Sequence, residues 1–181
     1  TGERVLDELM TDHGRFEHNR QSLRIVDYLE HPYPGFRGLN LTEPTRECIA
    51  GHETAYDAPA GGEFDPSLSP PLEGQVCDRA DEIAYSSADL EDGLASGWIS
   101  ERQVSSLDIW RAARDTARRE YPDARHIHTR IAATRNVMRL LVDDLVATTR
   151  RTIADRDLSR PADIRRAERC AVMSPAMSGM F

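Results

Sequence analysis

Apolar residues recur at helical spacing along most of the chain, and we find no segment in which apolar and polar residues alternate as in a strand. The pattern predicts a short first helix near residues 5–9 and a second helix over residues 16–29, which ends before Pro32. A loop over residues 33–40 leads to a third helix, for which Thr42 is the expected N-cap. The first quarter of the chain is therefore predicted to consist of helices joined by short loops.

The middle of the chain is predicted to contain one long loop followed by one long helix. Residues 57–71 include four prolines and two glycines, a composition typical of a loop. The pattern then predicts a helix over residues 72–96, which Gly97 ends. Residues 100–103 read Ser-Glu-Arg-Gln, the spacing of a capping box, so the next helix is expected to start there and to continue to the break at Pro122.

The last third of the chain carries the strongest helical pattern, over residues 124–154. Pro161 is expected to open a short last helix, and residues 173–181 are expected to form an irregular tail. The chain contains no internal repeat and no low-complexity segment. The predicted fold class is therefore all-α, an irregular helical bundle rather than a coiled coil.

Composition narrows the class of protein further. The 181 residues suffice for a domain with a core, and no run approaches the ~20 apolar residues of a membrane span. We find no secretory signal, and the net charge of −8 argues against a nucleic-acid-binding surface. All 23 basic residues are arginine. Three widely spaced cysteines form no C-x-x-C pair, which favours reduced thiols in a cytoplasmic protein.

An acidic stretch over residues 80–92 lies inside the predicted long helix. At about 100° per residue, Asp81, Tyr85 and Asp89 fall on one line, and Glu82 and Glu91 are expected to point away from it. That line lies beside an apolar stripe expected to pack into the core, so its groups are expected at the core's edge. The apolar stripe consists of Val76, Ala80, Ile83, Ser87, Leu90 and Leu94.

Spacing alone leaves two interpretations of this line open. The acidic residues can form a solvated helix face that pairs with nearby arginines. Alternatively, the line is one side of a site, with a metal ligand at Asp81, an aromatic surface at Tyr85 and a second polar group at Asp89.

Several motifs carry a resemblance to a known family. In their order along the chain they resemble segments of the bacterial deoxyguanosine triphosphate triphosphohydrolase-like proteins, in the HD-domain phosphohydrolase superfamily. The resemblance covers about residues 1–150. It implies that residues 1–155 are the C-terminal part of an HD-type domain and that residues 156–181 are a terminal short helix and tail. The motifs are FEHNRQSLRIV (16–26), YPGFRGLNLT (33–42), HETAYD (52–57), LEGQVCD (72–78) and the acidic helix (80–94).

The resemblance implies a metal-dependent hydrolase that cleaves a deoxynucleoside triphosphate, such as dGTP, into the deoxynucleoside and tripolyphosphate. The divalent metal, such as Mg²⁺ or Mn²⁺, is held by a His, a His-Asp dipeptide and a distant Asp, which Asp81 matches. Tyr85 and Asp89 match positions that meet the deoxyribose and its 3′-hydroxyl. Glu3 and His18 match residues near the phosphates, with roles consistent with proton transfer. The resemblance also implies a homo-oligomer.

The chain departs from the family pattern in one respect. It contains no His-Asp dipeptide, and it begins at Thr1 inside a motif that follows the family's first metal ligands. We therefore expect a fragment that is truncated at both ends, carries one of four metal ligands and is inactive alone. Two alternatives remain open: a non-catalytic helical module that binds nucleotide or protein, and another HD phosphohydrolase that acts on nucleotides.

Overall fold

The computed structural model describes residues 2–53 and 63–178, and these residues contain nine α-helices and no strand. The prediction of an all-α fold is confirmed. A 3₁₀ turn follows the first helix at Thr11–His13, and a π turn at Ile25–Leu29 extends the second. The helices are α1 (Gly2–Leu9), α2 (His18–Arg24), α3 (Glu43–Ala50), α4 (Leu72–Ser96), α5 (Glu101–Val104), α6 (Asp108–Glu120), α7 (His126–Asp155), α8 (Pro161–Arg166) and α9 (Pro175–Ser178).

The chain divides into two compact units, and each is discontinuous in sequence. The first comprises Thr1–Asp78 and Leu158–Cys170, and the second comprises Arg79–Asp157 and Ala171–Phe181. The boundary expected near residue 155 concerns the extent of the resemblance, and it stays a prediction. No helix in the described part of the chain is long and apolar enough to cross a membrane.

The second helix of the first unit begins two residues later than predicted. The Glu17 side chain accepts hydrogen bonds from the backbone N–H groups of Asn19 (2.8 Å) and Arg20 (2.7 Å), so Glu17 is the N-cap and α2 starts at His18. Thr42 does stand at the N-cap of α3, but its side chain makes no capping hydrogen bond.

The final turn of the second helix is held by the loop that follows it. The Gly38 backbone N–H donates to the carbonyl of Glu30, and the Leu39 N–H donates to the carbonyl of Val26, both at 2.7 Å. Gly38 has a φ of 75°, and a Cβ atom at this position would lie 2.3 Å from the Asp27 carbonyl oxygen. Glycine is therefore required here both by backbone conformation and by space.

A segment near the C-terminus returns to complete the first unit. The Arg165 guanidinium forms a bidentate ion pair with Glu47, with NH1 2.5 Å from Oε2. The Cys170 backbone N–H donates to Oε1 of Gln75, a side chain that is wholly buried. Ser69 donates its hydroxyl to the carbonyl of Ala167 at 2.5 Å. These bonds place α8, the predicted short last helix, in the first unit.

The second unit contains the apolar core. Two alanines of α6, Ala113 and Ala117, are fully buried, and their small side chains allow α7 to approach closely. The Asn136 side-chain amide crosses this contact and donates to the Ala113 carbonyl at 3.2 Å. The core residues are Ile83, Leu94, Val104, Ile109, Trp110, Ala113, Ala117, Ala133, Val137, Leu141 and Leu145.

The single helix predicted from residue 100 to Pro122 is wrong, because the chain forms two helices there. The predicted capping box at Ser100 and Gln103 is present and opens α5. At the end of α5, Ser105 and Ser106 donate their hydroxyls to the backbone carbonyls of Glu101 (2.6 Å) and Gln103 (2.9 Å). Serine side chains form such bonds to nearby carbonyls in helices and at their ends, and α6 starts at Asp108.

Two predicted irregular segments extend beyond the described residues. Residues 63–71 are non-helical, as predicted for the loop over residues 57–71, and residues 57–62 lie outside the described part of the chain. The tail predicted to be irregular contains the short helix α9, and residues 179–181 lie outside the described part.

The three cysteines are free and differ in exposure. Cys77 is exposed, Cys48 is half-buried and Cys170 is buried. Burial raises the pKa of the Cys48 thiol. Free thiols at all three positions agree with the expected absence of a disulfide framework.

Candidate functional site

Glu3 and His18, the two predicted catalytic residues, lie in contact in the first unit. The His18 backbone N–H donates to Glu3 Oε1 at 2.9 Å, and His18 Nδ1 lies 2.9 Å from the same oxygen. The hydrogen bond from the His18 ring, followed by the one from its backbone, lowers the pKa of the Glu3 carboxyl. The side chains of His18 and Glu3 are 37% and 32% exposed, so both are within reach of a ligand. Their role in catalysis stays a prediction.

Glu17 completes a cluster of three potential ligand groups with this pair. One ligand atom from each of Glu3, Glu17 and His18 lies within 4.8 Å of the others, the only such group of three among the described residues. Both carboxylate oxygens of Glu17 already accept backbone N–H groups at the start of α2. The cluster is therefore explained by helix capping, and the Glu3–His18 pair is the part suited to moving a proton. Donation from Nδ1 to Glu3 selects the tautomer in which Nε2 is the basic nitrogen of the ring.

Asp81, Tyr85 and Asp89 form the acidic line on α4 and lie in the part of this helix that belongs to the second unit. The burial of their side chains differs from the prediction. Tyr85 is half-buried, as expected at the edge of a core, whereas Asp81 and Asp89 are exposed. The three residues do share one face of the helix, because they are four residues apart in an unbroken α4. The predicted roles of metal ligand and sugar contacts are not tested by this geometry.

The prediction that Glu82 points away from the core is wrong. Glu82 is 7% exposed, and the Arg79 guanidinium donates to its Oε2 at 2.5 Å. An ion pair three residues apart on one helix supplies the partner that a buried carboxylate needs. The predicted apolar stripe is correspondingly shifted, because Val76 and Ala80 are exposed while Ile83, Ser87 and Leu94 are buried.

The resemblance implies a divalent metal at Asp81, which would need further ligand groups close to that carboxylate. No cluster of three His, Cys, Asp or Glu ligand atoms among the described residues includes Asp81. A catalytic divalent metal usually takes several protein ligands at once. The described residues therefore do not fit such a metal at Asp81 by themselves.

Sequence reasoning missed a hydrogen-bonded network around Asp78, which lies in the first unit. The Asp78 side chain is 6% exposed, with Oδ1 2.7 Å from His52 Nδ1 and Oδ2 2.7 Å from Arg169 NH1. Arg169 also bonds to Glu53 at 2.7 Å. The side-chain amide of Asn19, a buried residue, donates to the carbonyl of His52 at 2.8 Å. Asn19 follows His18 directly, so the network supports the backbone that carries the Glu3–His18 pair.

Part of this network had a signal in the sequence. Gln75, Asp78 and Glu82 are spaced three and four residues apart, as core-facing positions of a helix are, and all three are buried. A polar stripe with that spacing predicts buried groups that need partners. The partner of Asp78, Arg169, is 91 residues away in sequence, and nothing local identifies it.

Comparison with curated proteins finds relatives along nearly the whole chain. The chain is 39% identical over 179 residues, 97% of its length, to the deoxyguanosinetriphosphate triphosphohydrolase-like protein of Geobacter metallireducens, of which it covers 46%. It is also 39% identical to the proteins of that name from Geobacter sulfurreducens and Thiobacillus denitrificans, over 93% and 97% of the chain and 44% and 48% of those proteins. No family model matches the chain.

These relatives confirm the resemblance inferred from the motifs. The similarity extends beyond residues 1–150, since the aligned segments cover 97% of the chain. The chain spans about half the length of the curated relatives it matches.

Proposed function

We propose that this chain is part of a metal-dependent deoxynucleoside triphosphate triphosphohydrolase, which converts a substrate such as dGTP into the deoxynucleoside and tripolyphosphate. The observation that carries the proposal is the Glu3–His18 pair, in which one carboxylate oxygen receives both the ring and the backbone of the histidine at 2.9 Å. Similarity to proteins named deoxyguanosinetriphosphate triphosphohydrolase-like supports the reaction class.

In this reaction water attacks the α-phosphorus, the bond from that phosphorus to the 5′-oxygen breaks, and the departing 5′-oxygen takes up a proton. His18 is proposed to exchange that proton, or to donate to a phosphate oxygen, through its ring. Glu3 holds the ring through the contact at Nδ1. Glu3 is therefore proposed to position His18 rather than to react itself.

A second part of the proposal rests on the resemblance and concerns the line of residues on α4, which is taken to contact the sugar of the substrate. The Tyr85 ring would lie against the deoxyribose, where a 2′-hydroxyl has no room, and the Asp89 carboxylate would accept a hydrogen bond from the 3′-hydroxyl. Asp81 would supply one ligand to a divalent metal, and the other ligands would come from residues outside this chain. We therefore propose that the chain alone does not hydrolyse deoxynucleotides.

The test uses a longer protein that carries this chain, with dGTP and Mg²⁺ or Mn²⁺ and with tripolyphosphate followed by ³¹P NMR. Asp81→Ala is expected to abolish release, and His18→Gln is expected to lower kcat about 10²-fold or more, the usual effect of losing a general acid or base. The control is Asp143→Ala, an exposed carboxylate on α7, which should leave the rate unchanged.

Two results would contradict the proposal. Retained activity in Asp81→Ala would contradict the proposed role of Asp81 as a metal ligand. Release of monophosphate or diphosphate in place of tripolyphosphate would indicate a different kind of nucleotide hydrolase. Tripolyphosphate release by the isolated chain, above a blank without protein, would contradict the proposed inactivity of the chain on its own.

A further inference from the structure

A positively charged cavity of about 400 Å³ lies in the second unit, where the end of α6 meets the start of α7. Three arginines, Arg114, Arg118 and Arg130, line it together with a single carboxylate, Glu101. Glu101 is already paired with another lining residue, since its Oε1 lies 3.0 Å from His126 Nε2. The cavity wall therefore carries an excess of positive charge in a chain whose net charge is −8.

One side of α6 supplies the deep wall of this cavity. Trp110, Arg114 and Arg118 are spaced four residues apart, so they follow one another along the same face of the helix. Their exposure increases in that order, from Trp110 at 1% through the half-buried Arg114 to the exposed Arg118. The face thus carries a buried aromatic side chain at one end and an exposed guanidinium group at the other.

Two buried donors on this face have no hydrogen-bond acceptor among the residues that the structure describes, Trp110 Nε1 and Arg114 Nε. The indole N–H can only donate a hydrogen bond. Arg114 Nε lies 3.9 Å from the Asp115 carboxylate, which is beyond hydrogen-bond distance. Both nitrogens are enclosed by protein, but the Arg114 side chain as a whole is 24% exposed and can therefore still be reached by a ligand.

Other contacts hold the remaining cations in place. Arg130 NH1 donates to the Leu94 carbonyl at 3.2 Å, which fixes one edge of its guanidinium. Arg114 NH1 lies 3.4 Å from the Ser105 hydroxyl. Arg118 is exposed and lines the same cavity. Its planar group of five donors is thus available for an anion with several acceptors.

We propose that this cavity binds a phosphate-bearing small molecule, whose phosphate oxygens accept hydrogen bonds from Arg114 and Arg118 beside the Trp110 ring. Phosphate fits better than a carboxylate, because a dianion with three terminal oxygens matches a wall that carries three guanidinium groups. The volume also exceeds what one phosphate requires and lies within the range of small-molecule sites, about 300–1,000 Å³. The cavity shares no lining residue with the Glu3–His18 pair or the acidic line, and the proposal does not depend on the proposed hydrolase function.

The two tryptophans provide a direct test on the whole chain. Trp98 is 89% exposed and Trp110 is buried, so their indole N–H signals in a ¹H–¹⁵N NMR spectrum report on different places. Inorganic phosphate and ribose 5-phosphate are titrated separately, with ribose and with sodium chloride at matched ionic strength as controls. We expect either phosphate probe to shift the Trp110 signal saturably and to leave the Trp98 signal unchanged. Tighter binding of ribose 5-phosphate would identify the ligand as an organic phosphate, and tighter binding of inorganic phosphate would identify it as the free ion.

Substitutions at two neighbouring arginines distinguish binding in the cavity from non-specific attraction of phosphate to positive charge. Arg118→Gln, at an exposed position that should not affect folding, is expected to weaken phosphate binding about tenfold, the effect of losing one charge-assisted bond. Arg119→Gln removes the same charge about 100° around the helix, where its guanidinium donates to Thr116 at 2.9 Å, and is expected to leave affinity unchanged. Equal weakening in both variants, a shift produced equally by sodium chloride, or no saturable shift of Trp110 with either phosphate probe would overturn the proposal.

Discussion

At the residue scale, the acidic residues of α4 are distinguished by the partners they find rather than by their spacing. Glu82 is buried because Arg79 lies three residues before it, and Asp78 is buried because His52 and Arg169 bond to its two oxygens. The first of these partners was visible in the sequence, as an Arg and a Glu at i and i+3. The second was not, because Arg169 reaches Asp78 only through the fold. The sequence thus located the acidic helix correctly but assigned the burial of its carboxylates incorrectly.

The Glu3–His18 pair makes stability depend on pH in the acidic range. Its hydrogen bonds lower the pKa of Glu3 below the ordinary value of 4.5, so the folded state favours the carboxylate. The resulting stabilisation is present above that value and is lost as the pH falls through the lower pKa of the folded state. Glu3→Gln is therefore expected to be less stable than the unmodified chain at pH 7, with the difference shrinking as the pH falls below 4.5.

The measurement for this pair is urea unfolding, followed by far-ultraviolet circular dichroism between pH 3 and pH 7. Glu8→Gln is the control, because Glu8 is exposed and its ion pair is with Arg4, at 3.4 Å on the same helix. Its stability difference should stay small at every pH. A Glu3→Gln difference that does not change with pH would mean that the carboxylate's charge is not what the contact stabilises.

At the element scale, helix ends set by backbone conformation were predicted well, and those set by other segments were not. Both ends of α4 match the predicted residues 72–96. The C-terminal end is set locally, because Gly97 takes a positive φ of 78° and ends the helix. The π turn that extends α2 was missed, because the bonds that hold its carbonyls come from Gly38 and Leu39 in the following loop. A π turn depends on such contacts and leaves no pattern of its own in the sequence.

The contact between the π turn and the following loop is expected to be most sensitive to substitution at Gly38. Gly38→Ala would put a non-glycine residue at a φ of 75° and a Cβ 2.3 Å from the Asp27 carbonyl oxygen. We expect it to lower the free energy of unfolding by at least about 2 kcal/mol, the combined effect of left-handed strain and a backbone clash.

The matched control for that substitution lies three residues earlier in the same loop. Gly35→Ala meets no atom within 4 Å and requires no left-handed conformation, so its effect should be within about 0.5 kcal/mol. Urea unfolding measures both variants. Equal effects at the two positions would show that the loop tolerates displacement and that the contact with the turn is not required.

At the scale of the whole molecule, both units are assembled from segments that are distant in sequence. The first unit is completed by Leu158–Cys170, whose contacts with it include the Glu47–Arg165 pair across 118 residues. Helical periodicity predicted α8 itself but contained no information about which unit it joins. Pairings over such distances depend on tertiary packing, and a single sequence does not encode them in any local pattern.

A double-mutant cycle with Glu47→Gln and Arg165→Gln measures how much this ion pair contributes to holding Leu158–Cys170 in the first unit. Glu47 is 9% exposed and the pair is bidentate, so we expect a coupling free energy of about 1–2 kcal/mol. The comparison cycle uses the exposed pair Arg4 and Glu8, for which about 0.5 kcal/mol or less is expected. Equal coupling in the two cycles would show that the returning segment is held by its backbone and apolar contacts instead.

The unequal exposure of the three thiols also decides where a chemical label attaches. The chain has no lysine, so amine-directed reagents find no side-chain target, and cysteine is the natural point of attachment. A maleimide is expected to reach the exposed Cys77 first, because burial raises the pKa of Cys48 and Cys170 is enclosed. Cys77 lies one helical turn before Asp81 on α4. The native sequence therefore carries a reporter position for a fluorophore or spin label beside the candidate site.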